Sequence, residues 1–140
     1  MRSHWRASTV ISKEEFDELS EVLRELSLEL KGGALLIVEG PGDEKMVRES
    51  GLEGRLVTLS GLSRGALLEL VETLQCPKVI ILTDVDSEGR RIKKELTHLF
   101  RSRGVTVDET YWERVARVVR GRVCEIEALL KRWVRMRSNT

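Results

Sequence analysis

The sequence predicts an α/β domain: a mostly parallel four-stranded sheet flanked by helices. Two observations lead there. ALLIVEG (34–40) and KVIILTD (78–84) are continuous apolar runs, the pattern of central parallel strands covered on both faces. Strand-like runs also alternate with helix-period segments four times along the chain, which calls for right-handed crossovers and a parallel sheet. A length of 140 residues suits one compact domain with a full core.

Residues 1–11 read as a loose arm in which Trp5 is the one side chain suited to docking. Ser12 and Glu15 have capping-box spacing, and Phe16, Leu19, Leu23, Leu26 and Leu30 then recur at three- and four-residue steps. That predicts an N-terminal helix over 12–32, stopped by Lys31-Gly32-Gly33. The core follows over 33–108. After the first strand Pro41-Gly42 turns the chain, and Asp43 is expected to cap a helix running to Ser50. RLVTLS (55–60) reads as a second strand, and a helix marked by Leu62, Ala66, Leu67, Leu70, Val71 and Leu74 is closed by Pro77. KVIILTD is the third strand. A helix with Ile92, Leu96, Leu99 and Phe100 inward ends at Gly104, and VTVDE (105–109) alternates like a fourth strand. The extension over 109–137 is helical in two stripes, Tyr111, Val115 and Val118, then Ile126, Leu129, Leu130 and Trp133, with a break near Gly121. Tyr111 lies in the first stripe and reads as core packing.

Composition excludes several classes. Cys76 and Cys124 are too few and too far apart for a disulfide framework or zinc cluster, and a reducing cytoplasm is the simplest setting. The N-terminus lacks the apolar core of a signal peptide, and no apolar stretch is long enough for a membrane span. Net charge is +1, so no global field advertises nucleic acid, but the charge is unevenly placed. Residues 12–31 hold seven acidic against three basic side chains, whereas residues 110–137 hold eight basic against three acidic. Arg114, Arg117, Arg120, Arg122, Arg132, Arg135 and Arg137 therefore read either as a solvated helical face or as a track for nucleic acid. Apolar helix beyond what the sheet needs is compatible with a monomer or a homodimer.

The chemistry gathers at one rim. Carboxyl ends of parallel strands share an edge, where ligands bind. Glu39 ends the first strand and Asp84 the third, so both face that edge. Asp84 and Asp86, two apart on extended chain, point the same way while Val85 turns inward. Such carboxylates repel unless a cation neutralises them, and Mg²⁺ does so while keeping positions for water and phosphate oxygens; Mn²⁺ can replace it. Read alone, the aspartates have a structural alternative: Asp86 capping the next helix and Asp84 paired with an arginine. Gly89 eases a tight turn close to the pair. His4 and His98 lie far from these positions, which argues against zinc, and EGPGDEK lacks the ending of a phosphate-cradling P-loop.

LLIVEGPGDEK and VIILTDVDSEGRR together resemble the two signature motifs of Toprim domains, found in bacterial primases, topoisomerases and 5S ribosomal RNA maturation nucleases. The resemblance covers roughly residues 33–108, and the tail RVCEIEALL makes the chain most similar to small stand-alone archaeal Toprim proteins. It implies a Toprim-like α/β fold with helical extensions at both ends. It also implies Mg²⁺-dependent phosphoryl transfer or cleavage on RNA or DNA, with Glu39 as general acid or base. Glu39, Asp84 and Asp86 would form the metal site, and Gly40, Asp43 and Gly89 would support it. The nuclease branch usually has a basic residue directly after Glu-Gly, where Pro41 stands here. Lys45, Ser60, Arg64, Arg90 and Arg91 are the candidates for phosphate contact. A topoisomerase needs a tyrosine nucleophile from another domain, which Tyr111 does not supply. The alternatives are a non-catalytic metal- and nucleic-acid-binding subunit of a larger complex, and a haloacid-dehalogenase-type phosphatase. The latter places its aspartate pair after the first strand and would leave Glu39 without a task.

Overall fold

A computed structural model describes residues 11–139. Along the chain run α1 (Lys13–Lys31), β1 (Leu35–Val38), α2 (Pro41–Glu49), β2 (Arg55–Thr58), α3 (Arg64–Leu74) and β3 (Val79–Ile81). Then follow α4 (Ser87–Ser102), β4 (Val107–Asp108), α5 (Thr110–Val119) and α6 (Ile126–Ser138). The strands form one sheet in the order β2-β1-β3-β4, every neighbouring pair parallel.

The doubly apolar runs become the two inner strands, and their alternation splits the core. Leu36 and Val38 of β1 and Ile80 of β3 join α1, α2, α5 and α6 on one face. Leu35, Ile37, Val79 and Ile81 join α3 and α4 on the other. Both strands are buried throughout, as a sheet covered on two faces requires. The helix stripes dock as their spacing foretold: Leu19, Leu23, Leu26 and Leu30 are buried, and the capping box of Ser12 and Glu15 is formed. Among the described residues, no helix is long and apolar enough to cross a membrane.

Several boundaries differ from the sequence-based expectation, each for a local reason. Asp43 does not cap its helix. Pro41, whose fixed φ suits a first helical position, starts α2 three residues earlier than that, with Gly40 as N-cap. Asp43, at the third helical position, reaches back to accept the Gly40 N–H at 3.0 Å. The fourth strand is only Val107–Asp108: Val105 N–H closes the end of α4 on the Phe100 carbonyl, and Asp108 turns its carboxylate to the Thr110 N–H that opens α5. The third strand stops at Ile81, because Thr83 leaves the ladder and donates its hydroxyl to the Gly89 carbonyl. Ile11, at the end of the expected arm, is buried; Trp5 and His4 lie outside the described residues.

Part of the uneven charge resolves internally. Acidic α1 packs along basic α5, where Arg114 pairs with Glu25 (2.7 Å) and Arg120 with Glu14 and Glu18 (2.8 and 3.2 Å). Arg122 pairs with Glu15. These arginines answer α1, and a groove of about 640 Å³ between the two helices is lined by Glu18 and Glu21 on one side and Arg114, Arg117 and Arg120 on the other.

Candidate metal centre

The sheet order places β1 between β2 and β3, so the chain leaves β1 to one side and returns on the other. The carboxyl ends of β1 and β3 thus flank the switch point where α/β sheets open a crevice. Glu39 follows β1 directly; Asp84 and Asp86 follow β3. The backbone N–H of Asp84 donates to Glu39 Oε2 at 2.6 Å, tying the two strand ends together. Val85 is buried, and both aspartates flanking it remain partly accessible, the alternation expected of extended chain.

Each acidic side chain has a defined hold. Asp84 Oδ1 accepts from the Ile126 N–H at 2.8 Å. Asp86 is the N-cap of α4, its Oδ1 accepting from the Gly89 N–H at 2.6 Å, so this half of the structural alternative is true. The other half is not: among the described residues no lysine or arginine forms an ion pair with Glu39, Asp43, Asp84 or Asp86. Buried Asp43 uses both oxygens, Oδ2 for Gly40 N–H and Oδ1 for Glu127 N–H at 3.0 Å, which makes it a brace between α2 and α6.

Withdrawal from water with no cation to compensate raises Glu39, Asp43 and Asp84. Burial pushes the Asp84 carboxyl up to about 7; the Ile126 hydrogen bond opposes the rise, and the charges of Glu39, Asp43 and Asp86 add to it. Burial also raises Glu39 against the lowering Asp84 N–H, with Asp86 and Asp43 adding repulsion. Asp43 is raised chiefly by burial.

Gly89 is required by space. A Cβ there would stand 1.9 Å from the Asp84 carbonyl oxygen, so only glycine lets α4 begin this close to the aspartate loop. Gly40 faces no such limit, a Cβ there meeting Asp43 Oδ2 at an ordinary 3.9 Å. Trp112, fully buried on α5, donates its indole N–H to the Thr83 carbonyl at 3.0 Å and fixes the chain just before Asp84.

The basic candidates divide. Arg90 lies exposed beside Asp86, its guanidinium 5.1 Å over the Trp112 ring, and lines a cavity of about 230 Å³ with Asp86, Ser87 and Arg122. Arg64 is bound through two nitrogens to Glu95 (3.1 and 3.2 Å). Arg91 pairs with Glu88 at 2.6 Å and approaches Glu95 at 3.7 Å. Ser60 reaches the rim through its backbone N–H, which donates to the Glu39 carbonyl at 3.0 Å, and its side chain is exposed. Lys45 is exposed on α2. His98 is exposed on α4, well along the helix from Asp86.

A family model described as the Toprim domain matches residues 34–120, more than half of the chain. The chain belongs to the Toprim domain family. A UPF0292 protein of Thermococcus kodakarensis is 31% identical over 123 residues, covering 88% of this chain and 86% of that protein. A UPF0292 protein of Archaeoglobus fulgidus is 29% identical over 116 residues, covering 83% and 90%. A solved structure, described as a putative protein from Aquifex aeolicus, superposes with a TM-score of 0.69 at 29% identity over 78% of this chain and 95% of that one. Toprim domains carry metal-dependent, nucleic-acid-related functions and generally bind a divalent ion, typically Mg²⁺.

The donors of this Toprim site suit such an ion. They are hard carboxylate oxygens, partly buried and without a cationic partner, and the hydrogen bonds of Asp84 and Asp86 each engage Oδ1. As the side chains lie, no three Asp, Glu, His or Cys among the described residues stand close enough to share one ion. The three-carboxylate grip expected of Glu39, Asp84 and Asp86 is thus not formed as the side chains lie. Sequence reasoning missed Ile126, Glu127 and Trp112 at this site. Two act through backbone N–H groups that any residue but proline supplies, and the third is indistinguishable from core by its spacing.

Proposed function

We propose that this Toprim protein carries out Mg²⁺-dependent hydrolysis or phosphoryl transfer at nucleic-acid phosphodiesters. The observation that supports it most directly is the 2.6 Å bond from Asp84 N–H to Glu39 Oε2, which joins the general acid or base to the metal-holding loop. Asp84 and Asp86 hold the ion. When bound, the ion neutralises charge developing on the phosphoryl oxygens. Glu39 holds or moves a proton at the reacting oxygen, and burial, by raising its pKa, brings it toward the working pH of such a group. Arg90 contacts a flanking phosphate from the cavity beside Asp86. The setting is the cytoplasm, where both free cysteines stay reduced.

A second reading, a binding subunit without chemistry of its own, is favoured by one feature. Arg64 and Arg91, placed to meet phosphates, are both held by glutamates. Labelled RNA and DNA incubated with Mg²⁺ or Mn²⁺ separate the two. Cleavage or transfer that disappears in Glu39→Gln supports the enzyme; metal-dependent binding with no turnover of either substrate supports the subunit.

A further inference from the structure

We propose that the segment 122–127 is a working part of the acidic centre, and that the backbone N–H of Ile126 is the positioning group that orients Asp84 for its cation. This rests on the metal-centre reading above and assigns to the C-terminal extension a role that none of its side chains discloses. Cys124 and Val85 exchange both backbone hydrogen bonds, at 2.8 and 2.9 Å, in an isolated antiparallel bridge. The bridge lays the segment directly along the Asp84-Val85-Asp86 loop. Cys124 and Ile126, each 1% exposed, anchor it in the core.

From that path the first two N–H groups of α6 point at the acids, Ile126 to Asp84 and Glu127 to Asp43. The fit is close. The Glu127 side chain lies over Gly42, and the Glu127 N–H on Asp43 joins the starts of α2 and α6. Among the described residues, Ile126 is the one hydrogen-bond donor to the Asp84 carboxylate. The bond holds Asp84 by Oδ1, while its side chain also meets the Glu39 carboxyl, so the direction in which Asp84 faces an ion is set from α6. The positive end of a 13-residue helix also steadies the charged form before the ion arrives. Outer partners of this kind typically set metal affinity by about 10–100-fold.

Ile126→Pro tests the proposal. Ile126 is the first helical residue of α6, where proline is accepted, and Glu125 before it has φ −79° and ψ 136°, which a following proline favours. The substitution deletes the N–H; Ile126→Ala matches the packing loss and keeps it. Mn²⁺ affinity, read by titration calorimetry and by Mn²⁺ magnetic resonance, should fall at least tenfold in Ile126→Pro and stay within about threefold in Ile126→Ala. Equal affinities in two folded variants would overturn the proposal. Should Ile126→Pro not fold, the wild-type amide resonance of Ile126 decides. It should shift on Mg²⁺ addition with the calorimetric midpoint, and an unmoved resonance at saturation would overturn the role. Wild-type protein that takes up neither ion refutes the metal centre itself, and the positioning role with it. Normal wild-type uptake unaffected by proline refutes the positioning role alone.

Discussion

The N–H of Asp84 donates to Glu39 Oε2 across 2.6 Å, so two acids 45 residues apart meet through a backbone bond as well as through their charges. Glu39→Gln keeps an oxygen acceptor for that bond while removing the ability to exchange a proton. The variant should fold, still bind Mg²⁺, and lose about 10²–10⁴-fold in cleavage or transfer. Full turnover in the folded variant would remove Glu39 from the chemistry.

Gly89 and Gly40 make opposite demands. In Gly89→Ala the added methyl overlaps the Asp84 carbonyl oxygen at 1.9 Å, and rigid backbone cannot yield as a side-chain tip would. A loss of about 3 kcal/mol is expected. Gly40→Ala, meeting only ordinary contact, should stay within about 1 kcal/mol. Equal denaturant midpoints for the two would contradict the tight start of α4.

The raised carboxyls set a pH trend. Asp84 titrates near 3.8 when unfolded and near 7 when folded, so the folded state binds more protons between those values. Its contribution is therefore complete below about pH 4 and is lost as pH rises through 7, and Glu39 and Asp43 are displaced in the same direction. In chelator, the melting temperature should fall from pH 5.5 to pH 8.5. Saturating Mg²⁺ should narrow the difference by stabilising the ionised acids. A flat profile without metal would mean that the acids are less confined than their geometry indicates.

Much of this was legible before the fold. The doubly apolar runs named the central strands, and the placement of Glu39 and Asp84 at strand ends named the rim. Asp43 misled because the sequence marks it as a cap, yet proline two residues earlier supplies a better helix start. The bridge from Val85 to Cys124 left no signal, since one pair of residues has no period to detect. For the basic tail, Arg114, Arg120 and Arg122 pair with glutamates of α1, a partnership that charge asymmetry alone cannot tell from an external one.

That pairing gives a contrast among arginines. Arg114 and Arg120 face the glutamates of α1, whereas Arg90 is exposed over Trp112 beside Asp86. Arg90→Ala should weaken nucleic-acid binding several-fold and lower the slope of log K against log salt by about 1. Arg114→Ala and Arg120→Ala should leave both unchanged. The reverse pattern would return the track to α5.

The cation-demanding cluster is tested most directly by an anomalous difference map from crystals soaked in Mn²⁺. A peak is expected about 2.0–2.6 Å from a carboxylate oxygen of Asp84 or Asp86, completed by water. Saturating Mn²⁺ with no peak at that rim, in crystals whose solvent reaches it, would rule out a metal centre at Asp84 and Asp86.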